Sequence, residues 1–524
     1  MTFRSPHPDV SIPEVSLTSF VLERAAELGD KPALVDGATG RSVSYRQLAR
    51  RVQIVRAGLA ARGFSKGDVL AIFCPNLPDY AVAFYAIASL GGISTTINPL
   101  YTAGELAFQL KDAGAKYVLT IPQGLDRALE ASRDSEVREV FVIGGGGKAT
   151  PFASLLQDAP QVSQVDIDSR EDVVALPYSS GTTGFPKGVM LTHYNLVANI
   201  SQGLQVHSVA ESDVVVGVLP FFHIYGMVVT MNFAVRSGAT IVTVPRFELE
   251  TFLQIMQDHG VTRAHLVPPI VLALAKHPIV DQYDLSRLNV ILSGAAPLGG
   301  DLAEACAERL GCSVIQGYGL TEASPVTHLI PDKPGKNKPG SIGPPIPNTE
   351  CRVVDTENGD ELGSDEAGEL WIRGPQVMKG YLDNPDATTQ TIDSQGWLHT
   401  GDIVHADGDG YFYVVDRLKE LIKYKGYQVA PAELEAVLTA HPAVVDAAVI
   451  PFPDEEAGEV PMAFVVRMGD ATAEDIRAFV AARVAPYKKI RRLEFISEIP
   501  KSPSGKILRR ILMGGERTER ASKP

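Results

Sequence analysis

Residues 177–189 read PYSSGTTGFPKGV. Within these thirteen positions lie four hydroxyls (Ser179, Ser180, Thr182, Thr183), three glycines (Gly181, Gly184, Gly188) and one lysine, Lys187. Glycine lets a backbone turn with positive φ and approach a ligand closely. Hydroxyls and exposed N–H groups lining such a turn suit phosphate oxygens, and Lys187 adds a point charge for the same anion. The run Val173-Val174-Ala175-Leu176 before it predicts a short buried strand, and residues 191–200 after it predict a helix. A glycine-rich loop between strand and helix is a setting for nucleotide phosphates. The alternative is a flexible Ser/Gly linker. A linker has no need of a lysine fixed between Pro186 and Gly188, and the spacing is not GxxxxGK[ST].

The 524 residues, 45% hydrophobic and 21% charged, suit a globular chain with several cores. A net charge of −14 argues against nucleic acid as a partner, so any phosphate recognition is local. Cys74, Cys306, Cys312 and Cys351 show no CxxC spacing, which predicts free thiols in a reducing, cytoplasmic setting. The N-terminal MTFRSPHPDVSIPEV has no apolar core of a signal peptide. Residues 214–235 carry no formal charge, but Pro220, His223 and Asn232 interrupt them. They read as a buried strand, a turn and a buried helix, with no stable membrane insertion.

Outward from the loop, strands and helices alternate. Strands are expected at 33–35, 68–73, 117–121 and 139–143, and helices at 44–62, opened by Ser44, and at 79–90. Strand 289–292 ends in SGAAP, helix 298–310 follows, and Val314-Ile315 runs into QGYGLTEAS. The fold class is therefore α/β, with a large N-terminal domain of parallel sheets covered on both faces. Short strands at 351–354, 368–373 and 411–415 suggest a small β-subdomain over about 331–416. Domain one is thus 1–417. Residues 418–524 predict a small, mobile α+β domain, with the charged run Asp416-Arg417-Leu418-Lys419 as hinge.

Four further motifs carry chemistry. In residues 316–322 the glycines of QGYGLTE leave Tyr318 free to stack on a base, and Thr321 and Glu322 offer hard oxygens for Mg²⁺. In GWLHTGD, Asp402 follows a glycine turn and suits vicinal ribose hydroxyls. DRLKELIKYKG (416–426) is basic, and PSGK places Lys506 in a loop near the C-terminus. Taken singly, each also reads as a turn or a solvated surface.

Together and in this order, these motifs resemble the adenylate-forming superfamily over essentially the whole chain. YSSGTTGFPKGV, GYGLTE, GWLHTGD, DRLKELIKYKGYQVAPAELE and PKSPSGKILRR carry that likeness. LPFFHIYGM, VPRFEL and LSGAAPLG look most like 4-coumarate–CoA ligases. The resemblance implies ATP, Mg²⁺ and coenzyme A with a small carboxylic acid, in a monomer or homodimer. A carboxylate would attack the α-phosphorus of ATP, and CoA thiol would then displace AMP. By the same resemblance Ser179, Ser180, Gly181, Thr182, Thr183, Gly184 and Lys187 would hold the β- and γ-phosphates. Thr321 would contact the α-phosphate, Glu322 and Thr183 would bind Mg²⁺, Tyr318 would flank adenine, and Gln316 and Gly317 would belong to the nucleotide site and border the acyl pocket. Asp402 and Arg417 would hold ribose. Lys506 would bridge carboxylate and α-phosphate, a cation between two anions. Lys419 would be the pivot that then brings up Lys423, Lys425, Gly426 and Gln428 for thioester formation, with Arg246 near the CoA phosphates. His223 would gate an acyl pocket formed by Tyr225, Gly294, Ala295, Ala296, Ala323, Pro325 and Val326, or else is a core histidine bonded to backbone.

Ser324 and Thr327-His328 depart from the GPVLAM run of plant coumarate ligases, and Arg246 stands where they carry lysine. The resemblance makes hydroxycinnamate the leading substrate class, and these departures make a medium- or long-chain fatty acid its competitor. A carrier-loading module and a luciferase-like monooxygenase use the same frame.

Overall fold

The protein is described from a computed structural model covering residues 1–145, 147–157, 162–179, 186–333, 335–418, 420–425, 427–454, 457–502 and 505–513, with Tyr427 and Gln428 as backbone only. Among the described residues four sheets organise the chain.

The first sheet runs in the order Tyr178–Ser179, Lys187–Thr192, Val173–Ala175, Ile93–Thr96, Val69–Phe73, Ala115–Thr120, Glu139–Val142, Thr150–Pro151. From Val173–Ala175 onward its neighbours are parallel. The second runs Val326–Leu329, Ser313–Gly319, Val290–Ser293, Arg263–Leu266, Val214–Gly217, Thr240–Thr243, Pro32–Asp36, Ser42–Ser44, parallel except at both edges. The central strands are Val/Ile/Leu runs rather than alternating patterns, as expected where both faces are covered.

Helix Pro78–Ser89 is buried from Pro78 to Ala88. A helix apolar on every side belongs between layers, and this one packs against strands of both sheets. Polar groups pin the interface there. Tyr85 donates to Asn232 at 3.0 Å, and Asn76 donates to the Gly217 and Leu219 carbonyls at 2.8 and 2.7 Å.

The third sheet, Thr2–Arg4, Glu350–Val354, Gly368–Arg373, Leu398–Ala406, Phe412–Arg417, is antiparallel throughout. The fourth, Tyr427–Val429, Ile422–Tyr424, Gly458–Arg467, Val444–Asp454 with Arg492–Phe495 beside Gly458–Arg467, forms a C-terminal unit. Helices Pro431–Ala440 and Ala473–Ala481 close one of its faces, with Leu434 and Val480 against Ile422, Val449 and Val465.

The α/β architecture is as expected, with two local corrections and one pairing that sequence order does not reveal. Residues 187–192 are a strand, not a lead-in to helix, so the 177–189 stretch is bracketed by a hairpin and helix His193–Val206 starts later. The run Val189-Met190-Leu191 is too short to separate strand from helix by periodicity. Strand Pro32–Asp36 pairs with Thr240–Thr243 and so belongs to the second sheet. Asp402 lies inside strand Leu398–Ala406 rather than on a free turn, although Gly401 before it does have φ +69. The uncharged 214–235 segment is strand Val214–Gly217, π-helix Gly226–Asn232 and helix Phe233–Ser237. Among the described residues no helix is long and apolar enough to cross a membrane.

Candidate active site

The strand ends of the second sheet, the third sheet and the C-terminal unit meet at one place. Strand Ser313–Gly319 carries Gln316, Gly317 and Tyr318 to its carboxyl end, where a short 3-10 turn, Thr321–Ala323, presents Thr321 and Glu322. Gln316 is buried, while Gly317, Tyr318 and Thr321 are half-buried. Tyr318 donates to Oδ2 of Asp402, and its ring meets His328 edge-on at 5.9 Å. Tyr318 is therefore anchored by its hydroxyl rather than free.

Asp402 and Arg417 are direct partners on adjacent antiparallel strands, with Nε of Arg417 3.3 Å from Oδ1 of Asp402. An aspartate, an arginine and a tyrosine thus converge on one edge. Glu322 is buried and accepts from the Tyr381 hydroxyl at 2.9 Å. The Tyr381 ring also lies beneath Lys187, whose Nζ is 4.9 Å from its centroid. Tyr381 so links the lysine of the hydroxyl-rich stretch to the glutamate of GYGLTE. Isolated in YLDNP, it gave no motif signal; the only clue was Gly380 before it, which has φ +148 and packs against Thr388.

Lys506 belongs to the C-terminal unit, yet its ammonium senses Arg417, Asp402, Glu322 and Glu420. Burial, then the Arg417 charge, lowers its pKa from the ordinary lysine value. Gly505, at φ +79, lies so close to Val267 that a Cβ on it would meet that side chain at 3.1 Å. Ser502 and Lys506 exchange bonds across the loop, Ser502 N–H to the Lys506 carbonyl at 2.8 Å and Lys506 N–H to the Ser502 hydroxyl at 3.2 Å. Arg509 ties this segment back to Glu420 at 2.7 Å and to both oxygens of Glu435 at 2.7 and 2.9 Å.

His223 accepts from the Tyr225 N–H through Nδ1 at 3.3 Å. Burial, then the charge of Lys506, pushes its pKa down to about 3, so it is neutral. Tyr225 donates to the Leu292 carbonyl at 2.9 Å. Its ring lies where a Cβ on Gly294 would meet it at 3.1 Å. Ala295, at φ +69, and Ala296 continue this edge half-buried, and Ala323, Pro325 and Val326 are buried beside it.

Other expected residues stand apart. Lys423 and Lys425 are exposed on the hairpin Ile422–Tyr424/Tyr427–Val429, and the Lys423 N–H donates to Glu459 at 2.8 Å. Gln428 pairs with Lys423 through its backbone. Arg246 is exposed, 3.6 Å from Glu248. Ser179 is half-buried opposite Lys187 in the hairpin. Ser180, Gly181, Thr182, Thr183, Gly184, Lys419 and Gly426 lie outside the described residues. Among the described residues no cluster of three or more His, Cys, Asp or Glu side chains is built to hold a metal. One buried carboxylate, Glu322, does fit an ion that takes its remaining ligands from phosphate and water.

Lys187, Tyr381, Glu322, Tyr318, Asp402, Arg417 and Lys506 thus gather where the sheets meet the C-terminal unit, a cluster of both charge signs. The chain belongs to the AMP-binding enzyme family, whose model matches residues 21–382; the model for the AMP-binding enzyme C-terminal domain matches residues 433–506. The chain is 44% identical over 523 residues to a 4-coumarate–CoA ligase of Pinus taeda, covering 97% of each. Among solved structures, the anthranilate–CoA ligase AuaEII with anthranoyl-AMP matches with a TM-score of 0.91 at 27% identity, over 98% of this chain and 99% of that one. ATP-bound MatB from Rhodopseudomonas palustris matches with a TM-score of 0.87 at 28% identity, over 96% and 99%.

Proposed function

We propose that the protein is an ATP-dependent carboxylic acid–CoA ligase acting on 4-coumarate or a related hydroxycinnamate. The observation that carries this is the position of Lys506, whose charge is felt by His223 on the acyl side and by Arg417, Asp402 and Glu322 on the nucleotide side. That is where a carboxylate and an α-phosphate would meet. The similarity to 4-coumarate–CoA ligases over nearly the full length supports the acid class.

In the first step the carboxylate oxygen attacks the α-phosphorus and pyrophosphate leaves, with Lys506 offsetting the repulsion of the two anions. Lys187 and the 179–184 hydroxyls hold the outgoing phosphates, and Asp402 and Arg417 fix the ribose. Glu322, and Thr183 by the sequence resemblance, would hold Mg²⁺, which when bound neutralises phosphate charge. In the second step CoA thiol attacks the acyl carbonyl and AMP leaves. Positioning and charge neutralisation carry both steps, and no side chain forms a covalent intermediate. The chain divides at residues 417/418, and the second part turns about Lys419. Lys423, Lys425, Gly426 and Gln428 then replace Lys506, and Arg246 meets the CoA phosphates. Four free thiols support a cytoplasmic setting.

The test is a panel of acids from acetate through palmitate to cinnamate and 4-coumarate, scored by AMP release with ATP, Mg²⁺ and CoA. The expected optimum is a hydroxycinnamate. An optimum at a saturated chain of eight or more carbons would replace the substrate while leaving the reaction class. No AMP with any acid would end the reading.

A further inference from the structure

Helix Pro431–Ala440 of the C-terminal unit has no side-chain cap of its own at its N-terminus, where Pro431 supplies no N–H. Residues outside the unit bind both of its ends. At the N-terminal end, the N–H of Ala432 donates to Oδ2 of Asp416 at 2.9 Å, and Asp416 lies on the third-sheet strand Phe412–Arg417. At the C-terminal end, Nζ of Lys276 donates to the carbonyl of Thr439 at 2.7 Å and to that of Val444 at 3.5 Å. Lys276 ends helix Pro268–Lys276, which starts directly after Val267, the residue against which Gly505 turns. Midway along, Gly299 approaches so closely that its Cβ would stand 3.5 Å from that of Ala436.

The charges match the helix. A carboxylate sits at the positive end of the dipole and an ammonium at the negative end, and both are hydrogen-bonded to groups the helix leaves open. A neutral or reversed pair in these places would hold the same shape more weakly. Both contacts reach across the proposed pivot: Asp416 precedes residue 419, and Lys276 lies 163 residues from Thr439. A rotation about that pivot large enough to withdraw Lys506 would move Thr439 away from Lys276 and Ala432 away from Asp416.

We propose that Lys276 and Asp416 are positioning residues for adenylation, a two-ended clamp on helix Pro431–Ala440 that holds the C-terminal unit where Lys506 reaches the nucleotide site. The two-step reading given above supplies the activity readout, while docking itself can be followed without it. Release of both ends accompanies the turn to thioester formation. The clamp thereby sets the division of time between the two half-reactions without touching substrate.

The test uses the full chain. A Gly299→Cys/Ala436→Cys pair lies within disulfide range when the unit is docked, so its oxidation rate reports the docked population, independent of activity. Into that background go Lys276→Met, Lys276→Arg and Asp416→Asn. The expected result is about tenfold slower cross-linking with Lys276→Met and about threefold slower with Asp416→Asn, with Lys276→Arg near the parent. Without the cysteines, Lys276→Met lowers acid-dependent pyrophosphate exchange by about the same factor, and conversion of supplied acyl-adenylate to thioester is unchanged or faster. Unchanged cross-linking in Lys276→Met overturns the clamp, as does an equal fall in both half-reactions. A parent protein that makes no AMP from any acid defeats the ligase reading, and the cross-linking rates still decide the clamp.

Discussion

The Tyr381 hydroxyl donates to Oε1 of Glu322 at 2.9 Å, and both side chains are buried. The bond holds the carboxylate of the GYGLTE turn against strand Lys187–Thr192, since Tyr381 is the register partner of Val189. A tyrosine outside every motif therefore sets the orientation of the carboxylate proposed to hold Mg²⁺.

Tyr381→Phe removes that bond and keeps the ring beneath Lys187. Hydrogen bonds to charged groups are worth about 1.5–3 kcal/mol, so pyrophosphate exchange is expected to fall about tenfold or more. The apparent demand for Mg²⁺ should rise, with little change in the KM for the acid. A variant with unaltered Mg²⁺ dependence would show that Glu322 holds its pose without the tyrosine.

Lys506→Ala is expected to abolish acid-dependent pyrophosphate exchange while supplied acyl-adenylate is still converted to thioester. Lys423→Ala should do the reverse. Both half-reactions measured on both variants check this, and parallel losses would mean that the two lysines do not act in turn.

The pH profile follows from the surroundings of Lys506. Burial and Arg417 lower its pKa from 10.5. The protonated form is the useful one, so activity is present below the lowered pKa and lost as pH rises through it. Adenylation should thus decline on an alkaline limb that starts below that of an ordinary lysine. Lys506→Arg should flatten this limb, because guanidinium stays charged. A limb that survives the substitution would belong to another group.

Gly294→Ala places a methyl against the Tyr225 ring, at 3.1–3.3 Å. The ring is held by its bond to the Leu292 carbonyl and has a hydrogen bond to lose if it yields. One methylene in an acyl slot is worth about 10–200-fold, so kcat/KM for 4-coumarate should fall at least about tenfold, with acetate far less affected. Equal losses for both acids would place the ring outside the acyl pocket.

Motif order and the family resemblance it carries made the candidate site legible: Tyr318, Glu322, Asp402, Arg417 and Lys506 are all named from the sequence, and they lie near one another. What stayed hidden depends on distant partners. Pro32–Asp36 reads as a strand, but its place beside Thr240–Thr243 rests on a pairing some two hundred residues away. The hairpin at Lys187 was missed because three apolar residues suit either period. Tyr381 and Lys276 belong to no pattern, and each matters through contacts that only the folded chain creates.

Arg417 closes strand Phe412–Arg417, and residue 419 follows it by two positions. If the ribose is gripped there and the C-terminal unit turns about residue 419, the axle of that motion is mounted on the cargo itself. The arc swept by the C-terminal lysines is then measured from the bound nucleotide, and an acyl-adenylate would present the same sugar to both arrivals.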